Sequence, residues 1–242
     1  MWIRPGAEVG HVAGSRSVDD EDAIAEWTRA QERVIALVAG LPPERAAITV
    51  PSCPDWTVRD LLSHMVGLGA DVVAGNEPDD HNEAWTAQQV EQRRDRDVDA
   101  LVTEWQALTG PLRAWMAEHG TRPLGDVTIH EQDLRGALGE PGGQDTPAMA
   151  AMRERFVGRL ASRLDPGLAP LALVGQRWSW CSAGDPPDAA VEIRASDFDL
   201  ARALVTRRSA AQLRSWTTRG DVEPYLDAFA ILGALPSRDL SE

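Results

Sequence analysis

The sequence predicts a mainly α-helical protein, in which a helical bundle is followed by a small α+β domain. Three observations predict it. From residue 20 to about residue 164, apolar residues recur at helical spacing and the breaks between periodic stretches are short, which is the pattern of an up-and-down bundle. At Asp165-Pro166-Gly167 the texture changes to short alternating runs rich in β-branched residues. The chain has 242 residues, 43% of them apolar and 26% charged, which suffices for two modest domains with their own cores. The expected division is a loose tail over residues 1–18, a helical domain over 19–164 and an α+β domain over 165–242.

Residues 20–41 predict the first helix, with Ile24, Trp27, Val34, Leu37 and Val38 on one face and acidic residues crowding the first turn, where the helix dipole favours them. Pro42 and Pro43 are expected to end it. Pro51 and Pro54 predict a rigid, extended approach to the next helix. That helix opens at Thr57, which forms a capping-box pattern with Asp60. Leu61, Leu62, Met65, Val66 and Leu68 supply its apolar stripe, and His64 sits among them. Residues 83–119 read as a third helix with an interruption at Gly110-Pro111. Residues 126–138 read as a fourth, closed by Gly139 in the left-handed conformation. Thr146 and Pro147 are N-cap and first residue of a fifth helix, running to about Leu164. Beyond the texture change, LALVGQRWSWCS and AVEIRAS read as strands. DFDLARALVTRR, SAAQLRSWTTRG and EPYLDAFAILGAL read as short helices.

The formal net charge is −14, so electrostatics oppose contact with nucleic acid or an anionic membrane. All 24 basic residues are arginine, which removes Schiff-base lysines and the lysine of a phosphate-binding loop from consideration. No apolar run approaches the ~18–20 residues needed to span a bilayer. The N-terminal stretch lacks the apolar core of a secretory signal, and a cytoplasmic location is expected. Two cysteines, Cys53 and Cys181, make no disulfide framework, consistent with a reducing compartment.

Of the five histidines, His11, His81 and His119 fall in the tail, in a polar loop and at a helix end, where solvation or a carbonyl partner accounts for them. His64 and His130 differ, because each lies inside an amphipathic helix near its apolar face, where an imidazole must find a hydrogen-bond partner or a metal. Asp126 and His130 are four residues apart, so they project from one side of a helix, and Asp133 shares that side. With an imidazole from a facing helix they would make a three-donor site with positions left open, which is the catalytic pattern of metal coordination. The same spacing also serves a plain hydrogen-bonded His–Asp pair. Cys53, just before a helix, and Trp56, at its start, read as packing residues, as do Trp178 and Trp180 with the period-two spacing of one strand face.

The segment TVPSCPDWTVRDLLSHMVGL resembles the first signature of the mycothiol-dependent maleylpyruvate isomerase family. IHEQDLRGALGEPGG resembles that family's second signature helix, and DFDLARALVTRRSAAQL a segment of its small C-terminal domain. The resemblance implies a DinB-like four-helix bundle followed by a sterol-carrier-like α+β unit. It implies a divalent metal, usually zinc, held by His64, Asp126 and His130, with Asp126 standing where the family's better-known member has Glu. Asp133 is then a supporting partner or a substitute ligand, and Glu131 a weaker substitute. The resemblance further implies mycothiol as cofactor, bound as thiolate. That thiolate adds to an activated double bond and leaves after rotation, or else opens a ring or displaces a leaving group. An arginine of the C-terminal domain, matched best by Arg207 or Arg208, is expected to face the metal and pair with substrate carboxylates. The expected partners are a small, acidic substrate and a thiol cofactor, with no nucleic acid and no membrane. A non-catalytic metal- or ligand-binding protein of the same fold, and a hydrolase using metal-bound water, are the competing readings.

Overall fold

The computed structural model describes residues 20–78 and 82–241. The expected tail with His11, and the loop residue His81, lie outside them. The chain divides into two compact units, one built on Val18–Glu154 and one on Arg155–Asp239.

In the first unit, α1 (Asp20–Val38) starts with three acidic residues, and the chain leaves it through Gly40 at φ +68°. The break therefore precedes Pro42-Pro43. The prolines instead open a single helical turn, α2 (Pro43–Ala46), where the missing N–H and the fixed φ suit a first turn. The extended approach is a small hairpin, β1 (Thr49–Val50) against β2 (Cys53–Thr57), turning at Pro51-Ser52. The capping box forms as expected: the Thr57 hydroxyl accepts from the Asp60 N–H at 3.2 Å, and the Asp60 carboxylate accepts from the Thr57 N–H at 3.0 Å. It starts α3 (Val58–Ala74).

The third expected helix is two helices, α4 (Glu83–Glu91) and α5 (Val98–His119). The break falls in the charged run at residues 92–97, where the Asp97 carboxylate caps the Ala100 N–H at 2.8 Å and restarts the helix. Pro111 lies within α5 and removes one hydrogen-bond donor without ending the helix. α6 (Pro123–Leu138) begins one turn earlier than the spacing suggested, with Pro123 in its first turn, and ends at Gly139 with φ +68°. The Thr146 hydroxyl caps the Met149 N–H at 3.2 Å and starts α7 (Pro147–Arg163), which carries the chain into the second unit.

α1, α6, α3 and α5 pack in a closed ring, each against two neighbours, and α4 packs on α3. Trp27, Leu61, Leu62, Leu101, Trp105 and Leu134 fill the centre of this bundle. Each such side chain contributes about 1.5–3 kcal/mol by leaving water.

The second unit is a four-stranded sheet in the order β4-β3-β5-β6 with helical segments. The run expected as one strand, residues 171–182, is a hairpin of β3 (Leu171–Val174) and β4 (Ser179–Cys181). Gly175 closes the turn with an N–H bond to the Trp178 carbonyl at 2.8 Å. A Cβ on Gly175 would lie 1.9 Å from an Asp197 oxygen, so any larger residue would have to displace that carboxylate. β5 (Val191–Arg194) pairs parallel with β3. After α8 (Asp197–Leu204) and α9 (Ala210–Ser215), the β-branched pair Thr217-Thr218 forms β6 (Thr217–Arg219) against β5, where a helix was expected to continue. The last expected helix is a 3₁₀ segment, Glu223–Phe229. Trp178 and Trp180 are buried, as the packing reading required.

Candidate metal centre

Capping at Thr57 sets the phase of α3 so that His64 faces the bundle interior, and it is buried. The i, i+4 spacing on α6 places Asp126 and His130 on one side, one turn apart. Because α3 and α6 are neighbours in the ring, the three side chains converge. One Asp126 oxygen, Oδ1, lies 3.5 Å from His64 Nε2 and 3.4 Å from His130 Nε2, and the three donor atoms all lie within 4.8 Å of one another. The two imidazoles meet edge to face, with ring centres 5.1 Å apart, and Trp56 covers His64 at 5.0 Å.

Each imidazole is held from behind. His130 Nδ1 bonds the Asp133 carboxylate at 2.9 Å, and His64 Nδ1 meets Gln89 Oε1 at 2.8 Å. Both Nε2 atoms are thereby turned toward Asp126. Burial disfavours a charge on His130, but Asp126, and then Asp133, outweigh it and push its pKa up to about 9. Burial likewise opposes the Asp126 charge, yet the two imidazoles hold its carboxyl well below the usual carboxylate range. Without a metal, the centre is a carboxylate facing an imidazolium.

The donor set fits a divalent cation. Donors set tetrahedrally about 2.0–2.1 Å from zinc lie about 3.3 Å apart, close to the two observed separations. Two imidazoles and one carboxylate leave a coordination position for an outside group. The hydrogen bond at the far nitrogen of each ring is the support that ligating histidines ordinarily have. Asp126 reaches both rings despite its short side chain.

Asp133 sits on Nδ1 of His130, on the opposite side of the ring from Asp126, so it supports the imidazole. The Cys53 thiol donates to the same Asp133 oxygen at 3.8 Å, so β2 meets the centre through this contact as well as through Trp56. Glu131 points away: its buried carboxylate accepts three hydrogen bonds from Arg33, at 2.7, 2.9 and 3.1 Å, and one from Arg135 at 3.0 Å. His119 stacks on Trp115, with Nδ1 3.0 Å from the Trp115 carbonyl, as expected of a helix-end histidine. In the second unit, Arg207 and Arg208 are both buried. The Arg208 guanidinium holds the Asp199 carboxylate through Nε and Nη2 at 3.0 and 2.9 Å, and Arg207 Nη1 donates to the Val205 carbonyl at 3.3 Å. Gln89 and its own partner Asp71, bonded at 2.8 Å, escaped the sequence reading. The available signal was on α3, where Asp71 follows His64 by seven residues and so shares its face.

Residues 27–122 match a family model described as the mycothiol maleylpyruvate isomerase N-terminal domain. The match covers 96 of the 242 residues. The mycothiol maleylpyruvate isomerase N-terminal domain match includes Cys53, Trp56, His64 and Gln89 and stops short of Asp126 and His130, whose assignment rests on the geometry above. Among solved structures, the chain is similar to the crystal structure of the mycothiol-dependent maleylpyruvate isomerase, at 12% identity and a TM-score of 0.52. The likeness covers 78% of this chain and 89% of that one, and it establishes a common fold. No curated protein matches the chain significantly. Among the described residues, no helix is long and apolar enough to cross a membrane.

Proposed function

We propose that the protein is a metal-dependent enzyme that uses mycothiol as its thiol cofactor, an isomerase or S-transferase acting on a small, acidic substrate. The observation that carries this reading is the convergence of His64, Asp126 and His130, with both Nε2 atoms turned inward by hydrogen bonds behind them. The domain family of residues 27–122 supports the choice of mycothiol. His64 and His130 would supply neutral nitrogen lone pairs and Asp126 a negative charge. When bound, a divalent ion with an open position lowers the pKa of a coordinated thiol, so that the thiol is held as thiolate near neutral pH. Asp133 and Gln89 keep the two rings in place, and Trp56 shields His64 from water on one side. His130 must give up its Nε2 proton before it can ligate, so loading would release a proton below about pH 9. Arg207 and Arg208 are the proposed partners of substrate carboxylates, by the resemblance of their segment. Arg208 also holds Asp199.

The purified chain should hold about one divalent ion, lost on His64→Ala or His130→Ala, and mycothiol should raise the thermal midpoint of the loaded protein. Metal binding without any response to mycothiol would redirect the reading to a binding protein. Turnover that needs no thiol would redirect it to a hydrolase.

A further inference from the structure

We propose that Gln89 is a positioning residue of this centre, locked by Asp71 so that its amide oxygen accepts from His64 Nδ1 and Nε2 is the nitrogen that the ring presents to a cation. The inference rests on the metal reading above. Gln89 is 1% exposed, so both ends of its amide must find partners inside the protein. The amide nitrogen lies 2.8 Å from Asp71 Oδ2, and the amide oxygen 2.8 Å from His64 Nδ1. A carboxylate only accepts, so the Asp71 side must be the NH₂ group and the oxygen must face His64. The ring must then donate from Nδ1, and Nε2 is the nitrogen turned toward Asp126.

The backbone makes room for the relay. His64, Gly67 and Asp71 share one face of α3, and α4 lies across it. A Cβ on Gly67 would lie 2.5 Å from Gln89 Cβ and 2.8 Å from its Cγ. Glycine at this point lets the Gln89 stem pass directly over α3, with its amide between the two polar side chains. Arg93 fixes the end of α4 by donating to the Gln89 carbonyl at 3.2 Å and pairing with Glu104 at 2.7 Å. The two imidazoles are thus backed by different chemistry, His130 by a carboxylate and His64 by an oriented amide.

The test uses the full chain and two readouts: zinc and cobalt affinity by competition with a chromophoric chelator, and the His64 tautomer of the metal-free protein by ¹⁵N NMR. Gln89→Leu should weaken metal binding about 10–100-fold and abolish the preference for the Nδ1–H tautomer. The double variant Gln89→Glu with Asp71→Asn restores an oxygen toward His64 and a donor toward residue 89, and it should recover most of the lost affinity. Wild-type affinity in Gln89→Leu, or an Nε2–H tautomer in the metal-free wild type, would overturn the proposal, and the tautomer decides even where Gln89→Leu does not fold. A wild-type chain that binds neither ion overturns the metal reading itself, whereas binding that survives Gln89→Leu overturns the role of Gln89 alone.

Discussion

His130 carries the clearest pH signature in the molecule. Its pKa in the folded, metal-free protein is raised from 6.5 to about 9 by Asp126 and Asp133 acting against burial. A raised folded-state pKa means that the pairing contributes its full stability below pH 6.5 and loses it as pH climbs through about 9. In chelator, the thermal midpoint should therefore fall between pH 6.5 and 9 on this group's account, and NMR titration should find His130 still protonated at neutral pH. Asp126→Asn removes the negative charge that raises it most and leaves Asp133 alone against burial, so it should lower the His130 pKa and flatten that fall. Thr206 is a second residue whose environment predicts a measurable effect. It is a buried, β-branched residue at φ 60°, a conformation that costs roughly 1–2 kcal/mol outside glycine. Its hydroxyl donates to the Phe229 carbonyl and accepts from the Leu232 N–H, both at 2.9 Å. Thr206→Val keeps the shape and the strain but leaves those groups unpaired. It should cost about 1–3 kcal/mol in denaturant unfolding.

Pairing of elements explains why the centre is built as it is. α3 supplies His64, α6 supplies Asp126 and His130, and α4 lies over α3 only because Gly67 has no side chain. Gly67→Ala would force its Cβ against Gln89 and Arg93, at 2.5 and 2.9 Å. The expected cost is about 1–3 kcal/mol of stability, read from the denaturation midpoint, together with weaker metal binding as α4 is pushed outward. Features of single elements were legible in the sequence, because caps act within one turn: Thr57 with Asp60, Gly139, and Thr146 with Pro147 all act as read. Boundaries that depend on a partner were not. The turn at Gly175 and the strand at Thr217–Arg219 follow from what each segment packs or pairs with, whereas the division of residues 83–119 into α4 and α5 turns on the local Asp97 cap that the reading passed over.

Charge is the property that belongs to the molecule as a whole. A formal charge of −14 repels itself in the compact state, and added salt screens that repulsion. Raising inert salt from roughly 10 to 200 mM should therefore raise the thermal midpoint of the metal-free chain, and a fall would mean that its ion pairs outweigh its net charge. By itself the sequence determined the mainly helical class with a small α+β part, the caps, and the shared helix side of Asp126, His130 and Asp133, because helical period and i, i+4 spacing are local properties of the chain, while the family resemblance nominated His64, Asp126 and His130 as the ligand set. The convergence of those side chains on one carboxylate oxygen, the role of Asp133 behind His130, the outward pairing of Glu131 with Arg33, and the contact of Gln89 with His64 were decided by tertiary structure. Each is a meeting of segments remote in sequence or a choice between neighbouring rotamers, and only the packing of α1, α3, α4 and α6 against one another selects it.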